Sequence, residues 1–253
     1  MKTIAYLSLG LIAALGAAAA VAATTVPPGI VAAVANANRP AADTARDEGR
    51  KPAETIAFSG MKGGQVVADV LPGTGYYDRI FSSVVGPKGH VYAFYPAEMK
   101  AFVKTPLPAD GTKPFDKFDN VTSVSTPVND FALPAKADIV WISDNYHDLH
   151  DPFFAPADVA KVNAAVFKAL KPGGIYLVLD HAAPAGSGLA STNTTHRIDE
   201  AVVKTEVEAA GFRLIGESDA LRNPADDHTK LVFDPSLRGH TDQFILKFQK
   251  PKG

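Results

Sequence analysis

The chain has 253 residues and no cysteine. That absence excludes disulfides, thiolate nucleophiles and lipid attachment through a cysteine, so stability must come from the packed core alone. An excess of charge of either sign is also missing. Lys and Arg number 25 against 27 Asp and Glu, a formal charge of −2. No basic cluster stands out, so nothing electrostatic points to nucleic acid. No internal repeat is present. Hydrophobic residues at 46% and charged residues at 21% are ordinary for a globular protein.

The N-terminus is biased. Met1-Lys2 is basic, Ile4 to Ala19 is apolar and uncharged, and Ala20-Val21-Ala22 is a small-x-small cleavage signal. This is the pattern of a secretory signal peptide over residues 1–22, cut before Ala23. Left uncut, the same run would be a membrane anchor. Residues 23–42, rich in Ala, Val, Pro and Asn, read as a linker before one domain over residues 43–253. The expectation is an exported protein, periplasmic or secreted, with no stable membrane insertion after cleavage and a small-molecule substrate.

Within the domain, Asp43 to Phe58 reads as helix, broken near Gly49 and Pro52. Val66-Val67-Ala68-Asp69-Val70 is then a β-branched strand. It runs through Pro72-Gly73-Thr74-Gly75 into a helix carrying Ile80, Phe81, Val84 and Val85, and Val91 to Phe94 is a second strand. A strand, Gly loop, helix and strand in that order let a ligand approach bare backbone at a helix N-terminus. Further strands are expected at Val121–Val124, Ala137–Ile142, Ile175–Leu179, Phe212–Glu217 and Phe244–Phe248. Helices are expected at Pro156–Leu170 and at Thr195–Ala210, the latter capped by Thr195. Asn223 to Gln243 is a polar loop of lid length, in which Asp226, Asp227, His228 and Asp234 read as solvated. Trp141 reads as core. Alternating strands and helices predict an α/β fold: a doubly wound, mostly parallel seven-stranded sheet, Rossmann-like, with N-terminal helices and with ligands at the C-terminal strand ends.

Four motifs occur in order: Asp69-x-x-Pro72-Gly73-Thr74-Gly75, Asn129 to Pro134, Ala137 to Val140, and Leu170-Lys171-Pro172-Gly173-Gly174. With them the chain resembles the class I S-adenosylmethionine-dependent methyltransferases. Asn145-Tyr146-His147-Asp148-Leu149-His150 and His196-Arg197-Ile198-Asp199 make it similar to a group of exported, predicted bacterial methyltransferases. The resemblance implies S-adenosylmethionine as cofactor, with Asp69 orienting the loop and the cofactor's amino-acid part and with Gly73 and Gly75 admitting it closely. Asp130 would accept from the adenine amino group, and Tyr95 and Asn145 would complete the cofactor contacts. Two positions depart from the family. Leu71 stands where a first glycine is usual, and Tyr95 stands where an acid normally holds the ribose hydroxyls, with Glu98 close behind.

The densest polar cluster, Asp144 to Asp151, follows the fourth strand, and Asp180-His181 follows the fifth. Four of the seven histidines lie between Asp144 and Asp199. Histidine suits proton transfer near neutral pH, so His147 or His181, beside Asp144, would take a proton from a substrate hydroxyl or amine. Arg197 and Arg222 would grip a carboxylate or hold the lid. The same region could hold a divalent metal through Asp144, His147, His150, Asp180 and His181, but that spacing is too loose to single out a metal site. Three functions therefore stand side by side: methyl transfer to a small O or N nucleophile, non-catalytic binding of a small ligand, and a metal-dependent hydrolase or lyase.

Overall fold

The computed structural model describes residues 25–101, 103–154 and 157–253. The expected signal peptide lies outside the described residues. Residues expected as linker are partly helical: α1 (Pro28–Val34) begins with Pro at its first turn and buries Ile30 and Ala33. The Asn36 side chain then donates to Ser83 Oγ at 2.8 Å, tying this segment to the domain. The expected helix over Asp43 to Phe58 is three pieces: α2 (Ala41–Thr44), α3 (Asp47–Arg50) and α4 (Pro52–Ser59). Lys51, at φ 40°, makes the break before Pro52.

The sheet holds β1 (Val66–Val70), β2 (His90–Phe94), β3 (Val121–Val124), β4 (Ala137–Ser143), β5 (Leu170–His181), β6 (Arg213–Ser218) and β7 (Gln243–Gln249). Their order is β3-β2-β1-β4-β5-β7-β6. All neighbours pair in parallel except β7, which is antiparallel to both β5 and β6. Chain order reverses at β1 and β4, the place where such sheets open a crevice beyond their strand ends. Both strands are apolar almost throughout because helices cover both faces.

The helices are α5 (Tyr76–Val85), α6 (Val159–Ala169), α7 (Thr192–Thr195) and α8 (Glu200–Ala209). Trp141 is fully buried and packs at 5.0 Å from the rings of Tyr77 and Phe81 on α5. The helix expected from Thr195 onward is split. His196 takes φ 54°, which ends α7, and Asp199 rather than Thr195 caps α8 by accepting from Ala201 N at 3.0 Å.

Candidate active site

The glycine loop connects β1 to α5. Leu71 keeps the left-handed backbone of the glycine it replaces, at φ 60°, and its side chain joins the core that includes Phe94, Val128 and Phe131. Gly73 (φ 58°) has open space where a Cβ would stand, whereas at Gly75 (φ 82°) that position lies 2.0 Å from the ring of Phe115. Gly75 therefore admits a neighbouring side chain of the protein itself. Arg79 stacks on the other part of this contact, 4.3 Å from the Phe115 centroid.

Beneath the loop, Asp69 and Asp78 are both buried. Neither oxygen of Asp78 has a hydrogen-bond partner. Burial pushes the Asp78 pKa up to about 8, against the pull of Arg79. Burial, and then repulsion from Asp78, raises that of Asp69, while Arg50 opposes the rise. Tyr95 is buried at the end of β2 and offers a phenol, not a carboxylate. Glu98, close behind, accepts from Val128 N through both of its oxygens at 3.2 Å. Asp130 is exposed at the end of a short turn after β3.

On the β4/β5 side lies a cavity of about 640 Å³. It gathers Asp144, Asn145, His147, His181 and His196 from the sequence-predicted cluster. His150 is turned elsewhere and meets Glu206 at 3.1 Å. Asp144 sits at φ 59°, pairs with Arg50 at 3.0 Å and accepts from Gln243 Nε2 at 2.5 Å. The Asn145 amide donates to Ser143 O at 2.5 Å.

His147 differs most from expectation. Its Nδ1–H donates to Asp180 Oδ1 at 2.8 Å, and its Nε2 lies 3.2 Å from both Asp148 Oδ1 and His196 Nδ1. Burial disfavours its charge, but Asp180 and Asp148 overcome that and push its pKa up to about 11. The proton on its Nδ1 is held by Asp180, which leaves Nε2 as the ring nitrogen that faces the cavity side. His181 is the imidazole that stays neutral. Burial lowers its pKa, its Nδ1 bonds Thr241 Oγ1 at 2.7 Å, and its Nε2 is 4.0 Å from Asp144 Oδ1.

The long loop of residues 223–243 forms one wall, and Arg197 anchors it. The guanidinium of Arg197 is fully buried and pairs with Asp226 at 2.9 Å, while also donating to Ala182 O and Lys230 O. Asp226, expected in solvent, is buried and accepts from Asp242 N at 2.7 Å and His228 N at 3.0 Å. Arg222 holds carboxylates of the protein itself, chiefly Glu200. The cavity also receives Arg46 and Arg50 from the N-terminal helices and Phe233 from the loop. None of these had a sequence signal tying it to the motifs.

No known family profile matches the chain. The ubiquinone/menaquinone biosynthesis C-methyltransferase UbiE of Pseudomonas paraeruginosa is 30% identical over 199 residues, covering 76% of this chain and 66% of that protein. The chain belongs to the class I S-adenosylmethionine-dependent methyltransferase-like family. UbiE of Vibrio cholerae is 28% identical over 197 residues, 76% of this chain and 65% of its own. The family member described here thus spans about two thirds of the length of these curated relatives. Among solved structures, a methyltransferase from Aquifex aeolicus aligns with TM-score 0.51 at 18% identity, over 86% of this chain and 97% of that one. A putative sarcosine dimethylglycine methyltransferase from Galdieria sulphuraria aligns with TM-score 0.55 at 15% identity, over 83% and 88%. Both share the methyltransferase fold.

Proposed function

We propose that this chain transfers the methyl group of S-adenosylmethionine to a small O or N nucleophile held in the cavity. The observation that carries this reading is the link between the two half-sites. Arg50 pairs with Asp144 in the cavity, and its positive charge also reaches Asp69 beneath the glycine loop. Both half-sites open at the C-terminal end of the parallel strands, where this fold places its ligands.

The residues fit the cofactor at its amino-acid end. Asp69 and Asp78 are buried carboxyl groups, the oxygens of Asp78 have no hydrogen-bond partner, and Gly73 leaves its face open. Asp69, Gly73 and Tyr95 would hold the cofactor there. When bound, it supplies a methyl group made electrophilic by the sulfonium. The protein contributes position, aligning the nucleophile with that methyl. His181, neutral and braced by Thr241, receives the proton that an O or N acceptor gives up.

The relatives named C-methyltransferase favour a second reading, transfer to carbon at the same site. Incubating the protein with S-adenosylmethionine and panels of phenols, amines and enolisable carbonyl compounds tests both readings. Formation of S-adenosylhomocysteine with an O- or N-methylated product supports the first, and a C-methylated product supports the second. Cofactor binding without turnover on any panel overturns both in favour of a binding protein.

We also propose export, on the basis of Met1-Lys2, the apolar run Ile4 to Ala19 and Ala20-Val21-Ala22. A mature N-terminus at Ala23 in the protein recovered outside the cytoplasm would support it. An uncut N-terminus on cytoplasmic protein would overturn it.

A further inference from the structure

We propose that His147, Asp148 and His196 form a site for one divalent transition-metal ion of the zinc class, set in the cavity wall. The three donor atoms form a triangle: Nε2 of His147 lies 3.2 Å from Asp148 Oδ1 and 3.2 Å from His196 Nδ1, and the third edge is 3.7 Å. An ion with bonds of ~2.1 Å in tetrahedral geometry separates its ligands by about 3.4 Å, and an octahedral one by about 3.0 Å. The observed edges match one face of the tetrahedron more closely. Two imidazoles and one carboxylate are also donors that zinc-class ions accept.

The surroundings support a metal over a plain hydrogen-bond network. Asp180 accepts from both the backbone N–H and the ring Nδ1–H of His147, each at 2.8 Å. That fixes the ring and turns Nε2 toward the other two donors, the carboxylate–histidine arrangement that backs many metal ligands. A proton on Nε2 serves Asp148 or His196 but not both well, and 3.7 Å is too long for a hydrogen bond between those two. A single ion satisfies all three atoms. Asp151 adds a further sign. It is buried, and neither of its carboxylate oxygens has a hydrogen-bond partner.

All three ligands line the cavity, so the remaining coordination position opens into it. That position would take water or an anionic oxygen, nitrogen or sulfur of a small ligand. The residues differ from the loose set that the sequence offered: His150 is held by Glu206, Asp144 by Arg50, and Asp180 stands behind the ligands. The site stands whether or not methyl transfer does.

Cobalt(II) is the probe, added to the full chain after treatment with a chelator. The expected result is about one equivalent bound, with the intense visible absorption of four-coordinate cobalt, displaced by zinc. His196→Ala and Asp148→Asn, both at partly exposed positions, are expected to weaken binding by about 100-fold or more while melting as folded proteins. His240→Gln, in the same cavity, is expected to bind as wild type. Absence of the absorption at millimolar cobalt, or equal affinity in His196→Ala and wild type, would overturn the proposal. Calorimetry of the same metal-loaded samples with S-adenosylmethionine tests the methyltransferase reading separately, so either can fail alone.

Discussion

Asp226→Ala removes the carboxylate that holds the cavity's outer loop and leaves Arg197 charged and buried. The side chains of this pair are 0% and 1% exposed, so solvent screening does not soften the effect. Breaking a buried pair from one side costs about 3–5 kcal/mol, because the surviving charge has no compensation. For a domain of this size each kcal/mol lowers Tm by roughly 2–4 °C, so a fall of about 6–20 °C is expected by calorimetry. The backbone bonds from His228 and Asp242 to the same carboxylate are lost with it, which places the loosening in the loop. Proteolysis should therefore cut first within residues 223–243, and KM for the methyl acceptor should rise more than kcat falls. Arg197→Met combined with Asp226→Ala removes both charges and should recover part of the lost stability. A Tm within about 2 °C of wild type for the single variant would refute the assignment of this pair as the loop's anchor.

Asp78→Asn should flatten the pH dependence of stability. The folded-state pKa of Asp78 is raised to about 8, above the ordinary value of roughly 4. Its stabilising contribution is therefore complete below about pH 4 and is lost as pH rises through about 8, at up to ~1.4 kcal/mol per pH unit. Urea midpoints for wild type should fall between pH 5 and pH 8 relative to the variant, and parallel curves would contradict the assignment. Gly75→Ala should destabilise by about 2 kcal/mol or more, since φ 82° strains an alanine and its Cβ would meet Phe115 at 2.0 Å. Adding Phe115→Ala should relieve the clash but not the strain, which paired melting curves would resolve.

The strands were readable because a sheet covered on both faces needs unbroken apolar runs, and β1 and β4 have them. The Gly loop was readable because its backbone demands residues without a Cβ. Leu71 shows the limit of that reading: the core keeps it in a glycine's conformation, which no local pattern signals. The helix start at Thr195 was misplaced because Thr195 and Asp199 are both good caps, and only the tertiary position of His196 decides between them. The environment of His147 is not legible locally for a similar reason. Its proton affinity depends on Asp180, 33 residues away, and on Asp148 beside it. Arg50 and Gln243 come from segments with no motif, and only the fold brings them to the cavity.

The central claim is that the Asp69–Gly75 loop binds S-adenosylmethionine, and calorimetry of the full chain with that compound tests it most directly. The expected result is saturable binding to one site, weakened in Asp69→Ala, with release of a proton below about pH 8 as the cofactor's cation displaces the one on Asp78. No heat of binding at millimolar ligand, from a protein that melts cooperatively, would contradict it.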